Sequence, residues 1–98
     1  MEEHVRIATY SLKNGTAEEV AEIAKGGMLP IFRTQPGFVR YGVISLDDGS
    51  LASVSVWNTH DEAEAANAPA ADFVTQNLAD RIALQNSHVG DFFFDEGV

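Results

Sequence analysis

The strongest constraint on this chain is a doubled pattern: two halves, each reading strand, helix, strand, meet at Asp47-Asp48-Gly49-Ser50. Residues 4–12 alternate Val5, Ile7 and Thr9 against His4, Arg6, Ala8 and Tyr10, the period of two that a strand shows. Lys13-Asn14-Gly15 supplies a turn, and Thr16 with Glu19 forms a capping box that opens a helix. Behind it Val20, Ile23, Ala24, Gly27, Met28, Ile31 and Phe32 recur at helical spacing, so one stripe faces a core. Pro30 predicts a kink or a fresh start within that helix. Gln35-Pro36-Gly37 ends it, and residues 38–46 read as a second strand.

Asp47 to Ser50 has the turn chemistry of a hairpin, which leads into a third strand over residues 51–58. That strand sets Ala52, Val54 and Val56 on one face and Ser53, Ser55 and Trp57 on the other. Thr59 and Glu62 read as a second capping box. An alanine-rich stretch follows, interrupted by Pro69 before Ala70, Phe73, Val74, Asn77, Leu78 and Ile82, which predicts one kinked helix or two short ones. Residues 87–95 read as a fourth strand, with His88, Gly90, Phe92 and Phe94 opposite Val89, Asp91 and Phe93.

The order βαββαβ with a tight central hairpin predicts an α+β, ferredoxin-like domain with a four-stranded antiparallel sheet, one domain over residues 1–98. Two helices cover one face of such a sheet. The strands carry apolar residues on both faces, so the expected cover for the second is another copy of the chain, a homodimer through the sheet face.

Charge and composition remove whole classes of function. Against 15 acidic residues stand 6 basic ones, a net charge of -9 with no basic stripe, which disfavours nucleic acid and anionic membranes as partners. The chain has no cysteine, which excludes disulfides, thiolate metal sites and a cysteine nucleophile. Its 3 histidines are scattered without an acid at ligand spacing, so the sequence predicts no metal site. No Ser-His-Asp arrangement, phosphate-cradling loop or dinucleotide fingerprint occurs. The opening Met1-Glu2-Glu3-His4 is acidic, and no run approaches the ~18 apolar residues of a membrane span, so the expected location is cytoplasmic.

Candidate chemistry gathers around Trp57. It shares a face with Ser53 and Ser55, and small residues beside a large aromatic can leave a concavity in which a flat organic ligand stacks. The competing reading has Trp57 capping a core with its indole N–H bonded nearby. His60 falls in the first turn of the second helix, where the helix dipole predicts a neutral imidazole able to act as a general base on a phenol or enol. The plain alternative is a solvated surface histidine. Tyr10, Ser55, Trp57, Phe73 and Phe92 are the candidate substrate-binding residues, with Tyr41 and Arg40 as further candidates.

Two stretches carry a resemblance: residues 29–38, a helix end running into Gln35-Pro36-Gly37-Phe38, and residues 53–63, a strand with a terminal Trp57 followed by a capped helix. Both resemble the antibiotic biosynthesis monooxygenase family of the dimeric α/β-barrel superfamily. The resemblance implies a cleft between sheet and helices in which some members oxygenate polyaromatic substrates without metal or prosthetic group. Others of similar fold degrade haem with an Asn on strand one, a Trp ending strand three and a His on the second helix. Trp57 matches that Trp, but Ala8 and Asn67 stand at the other two positions, so haem degradation does not fit. Two readings follow: a cofactor-independent monooxygenase acting on an aromatic or polyketide-like compound, or a non-catalytic dimeric module that binds a small hydrophobic molecule.

Overall fold

The computed structural model describes residues 3–97; Met1, Glu2 and Val98, and with them part of the acidic opening, lie outside the described residues. The elements are β1 (His4–Leu12), α1 (Ala17–Ile23), a π-helical turn (Ala24–Met28), α2 (Leu29–Arg33), β2 (Phe38–Ser45), β3 (Leu51–Trp57), α3 (His60–Ala65), α4 (Asn67–Asn77) and β4 (Ile82–Asp91). The strands form one antiparallel sheet in the order β2-β3-β1-β4, the ferredoxin-like arrangement. Register along β1 and β3 runs from His4↔Trp57 to Tyr10↔Leu51, which sets Ala8, Tyr10, Leu51, Ser55 and Trp57 on the face the helices cover.

Local chemistry sets the helical breaks. Thr16 caps α1 in a complete box: its Oγ1 accepts from the Glu19 N–H while the Glu19 carboxylate accepts from the Thr16 N–H. Past Ile23 the winding widens, and the Leu29 N–H reaches back five residues to the Ala24 carbonyl. Pro30 then sits in the first turn of α2, where its missing N–H costs nothing, so the proline marks a fresh start and not a break. Pro69 likewise falls in the first turn of α4, after Ala66 has separated it from α3. In the β2–β3 hairpin Gly49 takes φ +90, a conformation that disfavours any other residue.

The core lies between the helices and the covered sheet face. Phe32 and Trp57 are fully buried, and their rings meet edge-on at 5.3 Å, with Phe38 and Tyr41 completing the cluster at 5.4 Å from Trp57 and 5.0 Å from Phe32 respectively. Burying Phe32 alone stabilises the fold by about 1.5–3 kcal/mol. At Gly27 a Cβ would lie 2.3 Å from the Phe73 ring, so glycine is what lets the first helical arm and α4 touch.

Two expectations about boundaries need correction. The fourth strand runs Ile82–Asp91 and not 87–95. Ile82 looks like one more helical position after Leu78, but α4 stops at Asn77, and the turn after it delivers Ile82 to pair with Leu12. At the other end the ladder finishes at His4↔Asp91 because β1 begins there, which leaves Phe92, Phe93 and Phe94 beyond the strand. The second capping box is also half made: Thr59 Oγ1 accepts from the Glu62 N–H, but the Glu62 carboxylate turns toward Gly37.

Candidate functional site

Between the sheet and the helical layer lies a cavity with about 30 Å³ of free space, lined almost entirely by apolar atoms. Tyr10, Tyr41, Val43 and Leu51 form its floor from three strands, while Met28 and Phe73 form its roof. That volume holds a water molecule, not an aromatic ring. A larger guest needs the flexible Met28 thioether or the Phe73 ring to move. Two open grooves between α1 and the free edge at β2 share Tyr41, Val43 or Leu51 with the cavity. The π-helical turn contributes Ala24 and Met28 to the lining, so the widened winding sits directly over this space.

The polar groups of the lining are the hydroxyls of Tyr10, Tyr41 and Ser53. Burial pushes the Tyr41 phenol above its ordinary range, against the opposing effect of the Ser53 hydroxyl. Its electrostatic neighbours are Tyr10 and Arg6. Arg6 is 4% exposed, on the covered face of β1, where its Nε donates to Asn67 Oδ1 while its Nη1 is buried with no partner among the described residues. An unpaired guanidinium nitrogen in the interior is costly unless a guest supplies the acceptor.

Of the five candidate binding residues, Tyr10 and Phe73 line the cavity. Trp57 and Ser55 do not: both are fully buried one layer away, and the indole N–H donates to Ser55 Oγ at 2.9 Å, so each satisfies the other. Phe92 lies past the end of β4, outside the lining. Arg40, on the uncovered face, pairs with Glu3 and Asp95. Sequence reasoning missed Arg6 and Asn67. The available signal was an arginine at an inward position of β1, facing Ser55 across the ladder.

His60 is also absent from the lining, and its surroundings favour the charged imidazole over the neutral form expected from the helix dipole. Its Nδ1 lies 2.8 Å from Asp91 Oδ1 and its Nε2 lies 3.2 Å from Glu64 Oε1. Asp91, then Glu64, push its pKa above the ordinary 6.5; two carboxylates outweigh the dipole of a six-residue helix. Asp91 also meets His4 Nδ1 at 2.6 Å, and the two histidines together hold its carboxyl below its ordinary value. Two of the three histidines that look scattered in the sequence, His4 and His60, therefore converge on one acid.

The four-stranded antiparallel sheet with helices over one face and a cavity between them defines an α+β, ferredoxin-like domain. Residues 4–71 match the sequence pattern described as antibiotic biosynthesis monooxygenase, and the chain belongs to that family. Among solved structures it is similar to SnoaB, a cofactor-independent oxygenase from Streptomyces nogalater, at 23% identity and a TM-score of 0.63, over 100% of this chain and 98% of that one. NE2512 from Nitrosomonas europaea, a protein of unknown function, superposes with a TM-score of 0.76 at 13% identity, over 100% and 96% of the two chains. MupZ from Pseudomonas fluorescens gives 0.69 at 10% identity, over 91% and 71%. These likenesses speak to the fold. No curated protein matches the chain. Among the described residues, no helix is long and apolar enough to cross a membrane.

Proposed function

We propose that this chain, a single domain over residues 1–98, is a cytoplasmic, cofactor-independent monooxygenase of a small aromatic or polyketide-like compound held between sheet and helices. The observation that carries the reading is the apolar cavity with two tyrosines in its lining, one of which feels the charge of the buried Arg6 from outside that lining. Family membership and the likeness to SnoaB support it.

In this reading the substrate supplies every electron. A phenolic ring loses its proton, the resulting carbanion-like carbon adds oxygen, and collapse of the peroxide leaves one oxygen atom on the ring as a carbonyl and releases the other as water. No external reductant is needed when a CH₂ becomes a C=O. Among the described residues the lining holds no carboxylate or imidazole, so the proton leaves to solvent. Tyr10 and Tyr41 stabilise the phenolate, the Arg6 charge acts on Tyr41 from outside the lining, and the apolar walls keep water from the intermediate. His60 lies outside the lining and is biased toward its charged form, so this reading assigns it no role as the base.

The same observation favours a second reading, a non-catalytic module that binds a small hydrophobic molecule, since a binding site has no need of a base. In either case the functional unit is a homodimer joined through the uncovered sheet face. Ile7 and Ile44 are 38% and 48% exposed there, and the fully exposed Phe93 stands near its end.

Oxygen uptake by the purified protein against a panel of hydroquinones and polycyclic phenols separates the readings. The monooxygenase predicts turnover that falls about 10-fold or more in Arg6→Met and in Tyr10→Phe. Tight binding of a panel member without uptake would leave the binding module standing in its place.

A further inference from the structure

The convergent histidines take no part in that chemistry. His4 opens β1, His60 opens α3 and Asp91 closes β4, so three elements remote in sequence deliver two imidazoles and a carboxylate to one point. Both Nδ1 atoms face the same carboxylate oxygen, and donor atoms of the three residues lie within 4.8 Å of one another. We propose that His4 Nδ1, His60 Nδ1 and the Asp91 carboxylate form a binding site for a divalent transition-metal ion of the zinc type.

The donor set decides the ion class. Two nitrogens and one oxygen suit Zn²⁺ and its neighbours, whereas Ca²⁺ and Mg²⁺ ask for oxygen throughout. Bonds of about 2.0–2.1 Å at tetrahedral angles place donors about 3.3 Å apart. The present separations of 2.6 and 2.8 Å therefore open by roughly half an ångström. The His60 and Asp91 side chains are 42% and 53% exposed and free to make that adjustment.

A second, independent feature points the same way. Glu64, one turn along α3, lies against His60 Nε2 at 3.2 Å. A ligating imidazole characteristically gives its outer N–H to a carboxylate, which turns the lone pair of the other nitrogen toward the ion. With Nε2–H on Glu64, Nδ1 is that nitrogen. Three protein ligands leave a fourth position for water. Six residue steps along β1, about 20 Å of strand, separate His4 from Tyr10 at the cavity. The ion is thus a clasp joining the first residue of β1, the start of α3 and the end of β4.

The test titrates tag-free protein with ZnCl₂ by calorimetry, and with CoCl₂ by visible absorption. One equivalent per chain is expected, with a tetrahedral Co²⁺ spectrum that Zn²⁺ abolishes. His4→Ala, His60→Ala and Asp91→Ala each weaken binding by at least about 10-fold, and Glu64→Ala by about 10–100-fold. His88→Ala, on the exposed middle of β4, leaves it unchanged. Absence of saturable binding in the wild type overturns the proposal, and so does binding that survives His4→Ala and His60→Ala in variants with native circular dichroism. Glu64→Ala, at an exposed helical position, keeps the test decisive if a ligand variant fails to fold. Oxygen uptake is not read, so failure of the monooxygenase reading leaves this result untouched.

Discussion

Single residues carry the electrostatics of this protein. His60 has its pKa raised by Asp91 and Glu64, so its contribution to stability is fully present below about pH 6.5 and fades as pH rises through the folded value. Asp91 has its pKa lowered by His4 and His60, so its contribution is present above its unfolded value of 3.8 and fades as pH falls through the folded one. The cluster therefore stabilises most between about pH 4 and 6.5. Thermal melts in chelator are expected to show Asp91→Asn losing more against wild type near pH 5.5 than near pH 8.5; equal losses would disprove the ionic account. Arg6 obeys a different rule, because its cost is burial. Arg6→Met, close in length and apolar, is expected to leave the melting temperature unchanged or raised even as phenol turnover falls, since removing an unpartnered interior charge offsets the lost bond to Asn67. The partners of His60, Asp91 and Arg6 were not readable from pattern alone. Charge pairing between positions 4, 60 and 91 is a product of the tertiary fold, and periodicity reports which side of a strand a residue faces without saying what waits there.

At the scale of elements, what was legible was whatever local chemistry dictates. The alternation in β1, the Gly49 turn and the Thr16 box all place structure where the sequence implies it, because each is settled within a few residues. The end of α4 and the extent of β4 were not legible, because a strand stops where its partner stops, and β1 stops at His4. Trp57 illustrates the same limit: the strand pattern placed it on one face with Ser53 and Ser55, but only packing shows Phe32 and Phe38 closing over it. Gly27 offers the sharpest test of element packing. Replacing a helical glycine by alanine ordinarily stabilises by up to about 1 kcal/mol. Here the added methyl would meet the Phe73 ring at 2.3 Å, and overpacking costs about 1–3 kcal/mol. Gly27→Ala is expected to destabilise the protein by about 1–2 kcal/mol in urea titration, and Phe73→Leu in the same chain to restore most of it. A stabilised Gly27→Ala would show that the two helical arms do not touch as described.

For the whole molecule, the sheet with one bare face is the governing fact. Ile7 and Ile44 on that face, and Phe93 and Phe94 beyond β4, are expected to lie in the interface of a dimer. Sedimentation equilibrium is expected to give twice the chain mass for wild type and a shift toward monomer for Ile44→Glu, whereas a wild-type monomer at micromolar concentration would refute the sheet-face dimer. The hollow at the centre traces to a matter of counting. Val20, Ala24, Met28 and Phe32 are buried at strict intervals of four, yet four residues of an α-helix overshoot a full turn by about 40°. Uninterrupted, that slippage would carry Phe32 away from Trp57. The wide turn at Ala24–Met28 takes the excess back, as a leap day does for a calendar. A chain one residue shorter there would wind smoothly and lose its alignment with the sheet; the surplus residue keeps Phe32 over Trp57 and leaves empty space under the widened loop.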